Sequence, residues 1–403
     1  MVYDLIIIGG GAAGLFAAAN ASPERHVLLL EKTNQFGQKL QIAGNGQCNL
    51  TNSRAIKEFL SCYGPNGNQL RPVLFPFNNR ALMAYFNENG LPLTTRPDGK
   101  VFPASSEAHS VLQLLLELAK RNGVELHTNT PVTNLTLCGD LFQVESENNR
   151  FQTRSILVAT GGASFPQTGS DGTFFACLEE LGIRLIPRRP ALAPVHVHDY
   201  PYSTLSGIAF PNCALTIQSE PKSICVSGSL LLTHRNFSGP VILDNARYIT
   251  QGSTISINYL PTDESRSLRQ ALLSKAKGSA KQILTLLETE THLPRRFLET
   301  VCQRTNIPSE TKSARLSGAE MEKIANLLTK DTYTVSGLGS LSTAMATAGG
   351  VSLDEVDLST MSARNIPGLY FAGEVLDVDG DTGGYNLQFA FSSAKLGVSK
   401  ALS

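Results

Sequence analysis

The apolar positions at the start of the chain form two strand-like runs separated by a helix-like stretch. Tyr3 to Ile8 is a short apolar run, an alanine-rich stretch extends to about Ala21, and His26 to Glu31 is a second apolar run. Short apolar runs suit buried strands, and alanine favours a helix. The pattern predicts a β-α-β unit at the beginning of an α/β domain.

Two later segments extend this α/β pattern. Glu107 to Asn122 places apolar residues at helical spacing, Gly123 supplies a stop signal, and Val124 to His127 resumes as a strand. From Val132 to Thr160, short β-rich runs separated by turn dipeptides predict a β-meander. A three-layer Rossmann-type domain with a meander is therefore expected.

The pattern changes after Ile186, where several prolines exclude a helix and β-rich runs take over. The predicted strands are Ala214 to Gln218, Ser223 to Val226, Leu230 to Thr233 and Thr254 to Leu260. From Glu264 to about Thr329 the apolar spacing becomes helical. We therefore predict a β-rich, barrel-like insert over 188–262 and a helical subdomain over 263–342. Gly337-Leu338-Gly339 is interpreted as part of a linker turn.

The last segment predicts one more strand, Gly368 to Ala372, and a helix from about Tyr385 to Ala401. We expect both to rejoin the first domain. The Rossmann-type domain would then be discontinuous, formed by residues 1–187 and 343–403.

The charge and cysteine content narrow the function classes. Lys plus Arg and Asp plus Glu number 34 each, so the formal net charge is zero, and no basic stripe that would bind a polynucleotide is found. The seven cysteines form no C-x-x-C pair, which favours a reducing cytoplasm. The sequence contains no uninterrupted apolar run long enough to suggest a membrane span. A small-molecule partner is expected, with no nucleic acid and no membrane, and the oligomeric state is left open.

The glycine motif after the first strand carries the first chemical signal. Gly9-Gly10-Gly11-Ala12-Ala13-Gly14 is a G-x-G-x-x-G motif between a strand and a helix, and Glu31 ends the next strand. Such glycines allow a backbone turn close to a pyrophosphate, and the acid accepts hydrogen bonds from a ribose. The motif predicts an FAD or NAD site, and Glu31 disfavours the 2′-phosphate of NADP.

A second motif near the C-terminus distinguishes FAD from NAD. The predicted strand Gly368 to Ala372 ends in Gly373-Glu374, and Gly383-Gly384 then opens a helix at Tyr385. In flavoproteins the acid at this strand end lies on the ribityl chain, and the helix start faces the N1–C2=O edge of the flavin. We therefore predict non-covalent FAD, with NAD(P)H only as a transient reductant.

Five motifs in order along the chain resemble the aminoacetone-oxidase-like and BaiN-like family of bacterial flavoproteins, and the similarity spans nearly the whole chain. The motifs are Gly37-x-Lys39-x-x-x-Ala43-Gly44-Asn45-Gly46-Gln47-Cys48-Asn49-x-Thr51-Asn52, Ala159-Thr160-Gly161-Gly162-x-Ser164-Phe165-Pro166-x-Thr168-Gly169-Ser170, Pro190-Ala191-Leu192-x-Pro194, Thr233-His234-x-x-x-Ser238-Gly239-Pro240, and Ala372-Gly373-Glu374-x-x-Asp377 with Gly383-Gly384-Tyr385-Asn386.

This resemblance implies an FAD-dependent oxidoreductase whose FAD domain is interrupted by a β-barrel and helical insert. The resemblance and the motifs together predict the following cofactor-binding residues: Gly9, Gly11, Ala12, Ala13, Gly14, Glu31, Lys32, Gln38, Lys39, Gly44, Asn45, Gly46, Cys48, Asn49, Val132, Thr160, Gly161, Gly162, Gly373, Glu374, Asp377, Gly383, Gly384, Tyr385, Asn386 and Leu387.

Two positions depart from the family pattern. Gln47 stands where the family usually carries Arg, and Asn236 stands where it usually carries Gly. Gln lacks the charge and the fork of a guanidinium, so a substrate anion held at this place in relatives would lose its clamp.

The candidate catalytic groups are His234 and Tyr385, both suited to proton transfer. Each has a structural alternative: His234 as a turn residue and Tyr385 as part of the flavin edge. Cys48 is expected to be a small buried residue, and no resolving cysteine accompanies it. Asp377, Asp379 and Asp381 are interpreted as a flavin-site loop, and no metal is predicted.

The expected function is hydride transfer between a small organic substrate and flavin N5. The enzyme would be an amine oxidase or dehydrogenase, or an NAD(P)H-linked enone reductase. A non-enzymatic flavin carrier or redox sensor is the alternative. An RNA-modifying flavoprotein is disfavoured by the zero net charge.

Overall fold

The apolar runs of the sequence become buried strands in a computed structural model that describes residues 1–218 and 223–403. The strands are β1 (Val2–Ile8), β2 (Val27–Leu30), β3 (Thr51–Asn52), β4 (Leu93–Thr95), β5 (Lys100–Pro103), β6 (Glu125–His127), β7 (Val132–Cys138), β8 (Leu141–Ser146), β9 (Arg150–Val158), β10 (Leu185–Ala191), β11 (Val195–Val197), β12 (Ala209–Ile217), β13 (Ile224–Leu232), β14 (Phe237–Ser238), β15 (Thr254–Asn258), β16 (Asp331–Leu338), β17 (Ala346–Val351), β18 (Val356–Asp357), β19 (Ser362–Ala363) and β20 (Leu369–Phe371). The helices are α1 (Ala12–Ala18), α2 (Gln38–Ile42), α3 (Ile56–Phe59), α4 (Arg71–Leu74), α5 (Asn79–Glu88), α6 (Ala108–Arg121), α7 (Phe175–Glu180), α8 (Pro240–Leu243), α9 (Thr262–Ala276), α10 (Ile283–Thr291), α11 (Arg295–Thr305), α12 (Gly318–Thr329) and α13 (Tyr385–Ala401).

The chain divides into two compact units. The first contains Met1–Ala191 and Leu341–Ser403, and the second contains Leu192–Ser340. β10 belongs to the first unit because it pairs antiparallel with β17.

The first unit is built on a mixed sheet with the order β18-β19-β20-β9-β1-β2-β6, and the β7–β8 hairpin joins it through β9. β20, β9, β1, β2 and β6 run parallel. The residues from Leu5 to Ile8 of β1 and all of β2 are almost fully buried, because apolar clusters cover both faces of the sheet. The predicted Rossmann-type fold with a β-meander is confirmed.

A three-stranded antiparallel sheet, β4-β5-β3, lies in the same unit. β3 is drawn close to the start of α13, where a Cβ added to Gly384 would lie 2.6 Å from the Thr51 carbonyl. Sequence reasoning did not predict β3, β4 or β5, because each is only two to four residues long.

The second unit contains a closed barrel, β11-β14-β13-β12-β15-β16, and the helices α9 to α12. One apolar cluster connects the barrel and the helices. The predicted barrel-like part and helical part of the insert are therefore both present.

Two details of the insert were predicted wrongly. Ser223 to Val226 and Leu230 to Thr233 were expected to be separate strands, but β13 is continuous, and Gly228 within it faces Val241. The segment 263–342 is not helical throughout, because β16 returns to close the barrel and Gly337 pairs with His196. The linker turn predicted at Gly337 is therefore the end of a strand.

Membrane spans, metal clusters and disulfide bonds are absent from the residues that the structure describes. No helix there has the length and apolar character to cross a membrane. No group of three or more His, Cys, Asp or Glu residues within 1–218, 223–261 and 267–403 has the arrangement of a metal site. All seven cysteines lie in the described residues and are free thiols.

Candidate flavin site

The loop between β1 and α1 has a shape that requires glycine. A Cβ on Gly9 would lie 2.5 Å from the Ala159 carbonyl, and one on Gly14 would lie 1.9 Å from the Gly9 carbonyl. A Cβ on Gly11, in contrast, would meet no described atom within 4 Å. The loop is therefore packed on its inner side and open at Gly11, as the close approach of a pyrophosphate requires.

Glu31 lies at the end of β2, beside this loop. Its carboxylate accepts a hydrogen bond from Gly10 N at 2.8 Å and from Thr33 N at 2.8 Å. The Thr33 hydroxyl donates a further hydrogen bond at 2.8 Å. These bonds fix the carboxylate next to the glycine loop, where its one remaining lone pair, on Oε2, suits a ribose hydroxyl group.

Lys39 and Glu374 form an ion pair, with 2.7 Å between Lys39 Nζ and Glu374 Oε2. Lys39 Nζ also donates to Ser164 Oγ at 2.5 Å. The other oxygen of Glu374 accepts from Thr347 N at 2.8 Å and from Ser164 Oγ at 2.9 Å. Glu374 thus connects three segments of the first unit.

The segment after β9 is held by Thr347 from β17. The Thr347 hydroxyl accepts hydrogen bonds from Ala163 N at 2.8 Å and Ser164 N at 3.0 Å. A Cβ on Gly162 would lie 2.4 Å from the same hydroxyl oxygen, so this approach needs glycine. Sequence reasoning missed Thr347, since its role depends on β17 lying beside a segment almost two hundred residues earlier in the chain.

The loop from Gly44 to Cys48 has an unusual backbone. Gly44, Asn45, Gly46 and Cys48 all have positive φ, and two of them are not glycine. A hydrogen bond from Cys48 N to the Ala43 carbonyl at 2.9 Å closes the loop. Such conformations cost about 1–3 kcal/mol each for ordinary residues and concentrate at functional sites.

Within this loop, Cys48 is fully buried, and burial raises its pKa to about 12. The thiol therefore stays protonated at physiological pH.

Gln47 accepts a hydrogen bond from the Arg96 guanidinium at 2.7 Å. Sequence reasoning also missed Arg96, which lies in the turn between β4 and β5.

The start of α13 is shaped by two glycines with positive φ, Gly383 and Gly384. The Asn49 amide, in the orientation that satisfies its neighbours, accepts from Gly384 N at 3.0 Å. The Asn386 side chain exchanges hydrogen bonds of 2.8 Å with the backbone of Gly380. These bonds fix the entry to α13, whose first N–H groups have no intrahelical acceptor.

Tyr385 is buried, with its ring edge-on to Phe59 at 4.9 Å. Burial raises the pKa of its hydroxyl well above the usual value, and a hydrogen bond with Cys62 raises it further. Its backbone carbonyl accepts a hydrogen bond from the Tyr63 hydroxyl at 2.8 Å. The geometry favours a role in shaping the α13 entry over proton transfer.

His234 lies in the second unit, in the turn between β13 and β14. Thr233 and Asn236 hold this turn through a bond of 2.7 Å between Thr233 Oγ1 and Asn236 Oδ1. The His234 ring is exposed and makes no hydrogen bond with the described residues. Asn236, the second departure from the family pattern, therefore stabilises the turn that presents His234.

The other predicted residues occupy varied positions in the first unit. Lys32 forms an exposed ion pair with Asp171 at 2.6 Å, and Asp377 accepts from Gly349 N at 2.8 Å. Gly373 N donates to Ser393 at 3.0 Å. Val132 begins β7 and packs against the core. The remaining predicted residues lie at α1, α2, the β9 end or the first turn of α13: Ala12, Ala13, Gln38, Thr160, Gly161 and Leu387.

These elements together define a class of protein. A glycine loop open at Gly11, an acid at the end of β2, a second acid after β20 and a glycine-opened helix start fit the pyrophosphate, ribose, ribityl chain and flavin edge of FAD. The first unit is that of a Rossmann-type FAD-dependent oxidoreductase.

Comparison with known proteins identifies the family. Residues 3–399 match the model described as the HI0933-like protein Rossmann domain, and the chain belongs to this family. The ribosomal RNA dihydrouridine synthase of Escherichia coli is 30% identical over 397 residues, covering 97% of this chain and 96% of that protein. The 3-dehydro-bile acid delta(4,6)-reductase of Clostridium scindens is 30% identical over 404 residues, covering 97% of each.

The fold is also similar to solved structures. A 3-ketosteroid delta1-dehydrogenase from Sterolibacterium denitrificans aligns with a TM-score of 0.52 at 13% identity, covering 100% of this chain and 99% of that one. At this identity the similarity concerns the fold alone.

Proposed function

We propose that this protein is an FAD-dependent reductase of a carbon–carbon double bond conjugated to a carbonyl group. The observation that carries the proposal is the chemistry shared by two of the relatives at 30% identity, those of Escherichia coli and Clostridium scindens. Making dihydrouridine saturates the uracil C5=C6 bond, which is conjugated to the C4 carbonyl. A delta(4,6)-reductase acting on a 3-dehydro bile acid reduces double bonds conjugated to the 3-oxo group.

Such a reduction needs a hydride donor, a proton donor and a held carbonyl. FAD, when bound and reduced, would supply the hydride for this reduction. We assign to Glu31, Lys39 and Glu374 the positioning of the cofactor. The α-carbon receives a proton, and His234 is our candidate donor because its ring is exposed and unbonded among the described residues.

The source of electrons is proposed to be NAD(P)H that binds only transiently. The chain has one G-x-G-x-x-G fingerprint followed by a helix and an acidic strand end. A further glycine-rich stretch, at Gly337, resembles such a fingerprint, but Gly337 pairs in a barrel strand. This arrangement supports one resident dinucleotide, not two.

The proposal is tested by anaerobic half-reactions. Photoreduced enzyme is mixed with cyclohex-2-enone and, separately, oxidised enzyme is mixed with primary amines. We expect enone-dependent reoxidation of the flavin and no bleaching by amines. Bleaching by amines without reoxidation by enones would contradict the proposal and favour an amine oxidase. A flavin that responds to neither, but exchanges electrons with a partner protein, would favour the carrier alternative.

Reduction of a uridine in ribosomal RNA is the second candidate function, since the E. coli relative carries that name. The zero net charge predicts no nucleic-acid partner. The name of this relative does not support that prediction. Ribosomal RNA from a strain lacking the gene is digested and analysed by mass spectrometry. Loss of a dihydrouridine, restored by the gene, would establish the RNA substrate. Unchanged dihydrouridine together with enone turnover would assign a small molecule.

Mutation of His234 tests its assigned role. His234→Ala is expected to lower kcat by about 10²–10⁴ if the ring donates the proton, with FAD binding unchanged. His198→Ala is the matched control, because His198 is an exposed histidine of the same unit. An effect of less than about threefold would return His234 to a structural role.

A further inference from the structure

The guanidinium of Arg96 is held in one orientation by two neighbouring side chains. It lies in the turn between β4 and β5, where Arg96 N donates to the Lys100 carbonyl at 2.9 Å. Its guanidinium carbon stands 3.8 Å from the centre of the Phe102 ring, and one nitrogen donates to Gln47 Oε1 at 2.7 Å. Stacking and one hydrogen bond fix the orientation of a side chain that is otherwise exposed.

The guanidinium keeps most of its donors available. A guanidinium has five N–H donors, and the hydrogen bond to Gln47 uses one of them. No Asp or Glu among the described residues forms an ion pair with Arg96. The remaining fork matches the geometry of a carboxylate or a phosphate.

The hydrogen bond to Gln47 connects this fork to a loop of the proposed flavin site. Thr95 pairs with Val101, and Val101 pairs with Thr51 of β3, so Arg96 lies roughly 10 Å from β3, or two strand spacings. β3 is the strand that packs against Gly384 at the start of α13. Gln47 lies two residues before Asn49, which binds Gly384 N.

This geometry changes the meaning of Gln47. The sequence alone suggested that the cation of the family motif is lost at this position. In the structure a cation is present at the same loop, since Arg96 donates to the Gln47 side chain from a different strand. Gln47 is then a positioning residue for Arg96, because its amide oxygen accepts the hydrogen bond from the guanidinium.

We propose that Arg96 binds an anionic group of the substrate, a carboxylate or a phosphate, beside the start of α13. The proposal deepens the proposed function, because it assigns an acidic substrate to the same site. The anion belongs either to a small unsaturated acid or to the backbone of a uridine nucleotide. A carboxylate and a phosphate each present two oxygen atoms that can accept hydrogen bonds from the guanidinium fork.

The test measures ligand binding to the oxidised holoenzyme by calorimetry, with no reductant and no turnover. Two matched pairs of probes are used: uridine with uridine 5′-monophosphate, and the methyl ester of 3-oxocyclohex-1-ene-1-carboxylic acid with the free acid. Wild-type enzyme is expected to prefer the charged member of at least one pair. Preference in the phosphate pair points to a nucleotide, and preference in the carboxylate pair points to a small acid.

Arg96→Ala is expected to weaken binding of the preferred charged probe by about 10- to 150-fold, while the neutral member changes by less than about threefold. Arg96→Met keeps an apolar stem over Phe102 and should give the same result if the alanine variant folds poorly. Arg71→Ala is the matched control, because Arg71 is an exposed arginine over Phe75 at 5.8 Å and should leave both probes unchanged.

Rescue distinguishes binding from general damage. Gln47→Arg in the Arg96→Ala background returns a guanidinium to the same loop and should recover at least about tenfold of the lost affinity. The proposal is overturned if wild-type enzyme prefers neither charged probe, or if Arg96→Ala affects charged and neutral probes equally. Anion selectivity without enone reduction would contradict the proposed function and leave the role of Arg96 standing.

Discussion

The ammonium group of Lys39 lies 2.7 Å from Glu374 Oε2, and this pair joins α2 to the segment after β20. The same carboxylate accepts hydrogen bonds from Thr347 N and Ser164 Oγ. Glu374 therefore organises three segments of the proposed flavin site. A residue expected only to bind the ribityl chain also holds the protein together at this point.

Glu374→Ala is expected to weaken FAD binding by roughly 10- to 150-fold and to lower the melting temperature, since hydrogen bonds to a charged group contribute about 1.5–3 kcal/mol each. Titration of the apoprotein with FAD and a thermal melt provide the measurements. Glu374→Gln, which keeps the shape, should have a smaller effect. Glu117→Ala changes an exposed carboxylate of α6 and serves as the control. An unchanged FAD affinity in Glu374→Ala would contradict the assigned position.

Glu31→Ala tests the adenosine end of the site. Its carboxylate is held by Gly10 N and Thr33 N, so its loss removes both the ribose acceptor and the order of the loop. We predict a loss of FAD affinity of roughly 10- to 150-fold with little change in the flavin absorption spectrum. A marked shift of the flavin absorption spectrum would place Glu31 near the isoalloxazine ring and refute the Rossmann assignment.

Cys48 is predicted to be unreactive in the folded protein. Burial raises its pKa to about 12, so the thiol is protonated at pH 8 and lacks the thiolate that alkylating reagents attack. Iodoacetamide labelling followed by peptide mass spectrometry should modify the exposed Cys138 and Cys225 first. Labelling of Cys48 at the rate of Cys138 would show that the loop opens in solution.

The second unit contains a buried ion pair that is predicted to dominate its stability. Asp331 is 3% exposed, and its carboxylate receives hydrogen bonds from Arg304 and from the hydroxyl groups of Tyr202 and Tyr259. Removing one partner of a buried pair leaves an uncompensated charge. Asp331→Ala should therefore lower the free energy of unfolding of this unit by about 3–5 kcal/mol.

The matched control for this prediction is Glu322→Ala, in the same unit. Glu322 pairs with Arg269 at 3.1 Å, but its side chain is 46% exposed. Exposed pairs contribute about 0–1 kcal/mol, so this variant should unfold almost as the wild type does. Equal losses from the two variants, measured by denaturant unfolding, would show that the buried network is not what stabilises the barrel.

The Rossmann-type core could be predicted because its signals are local. β1, α1 and β2 follow directly from apolar spacing and the glycine motif, and α13 begins at Tyr385 as the Gly383-Gly384 pair indicates. The barrel strand β16 could not be read in this way. It follows a run of helices, and its partner β11 lies more than a hundred residues earlier, so only tertiary pairing defines it.

The same distinction applies to the candidate site. Glu31 and the glycines are named by a contiguous motif, whereas Arg96 and Thr347 act on motif residues from distant segments. Gln47 is an example of a position whose role depends on a contact from a distant segment. The absence of arginine from the motif suggested that the loop lacks a cation. In the structure, Arg96 supplies one from the turn between β4 and β5.

The central claim, that this flavoprotein reduces a double bond conjugated to a carbonyl group, is tested most directly by a single turnover without oxygen. Photoreduced holoenzyme is mixed with a limiting amount of cyclohex-2-enone, and cyclohexanone is quantified together with the oxidised flavin. We expect one cyclohexanone for each flavin reoxidised. Reoxidation without cyclohexanone, or a flavin that stays reduced with the enone and with uridine-containing RNA until oxygen is admitted, would contradict it.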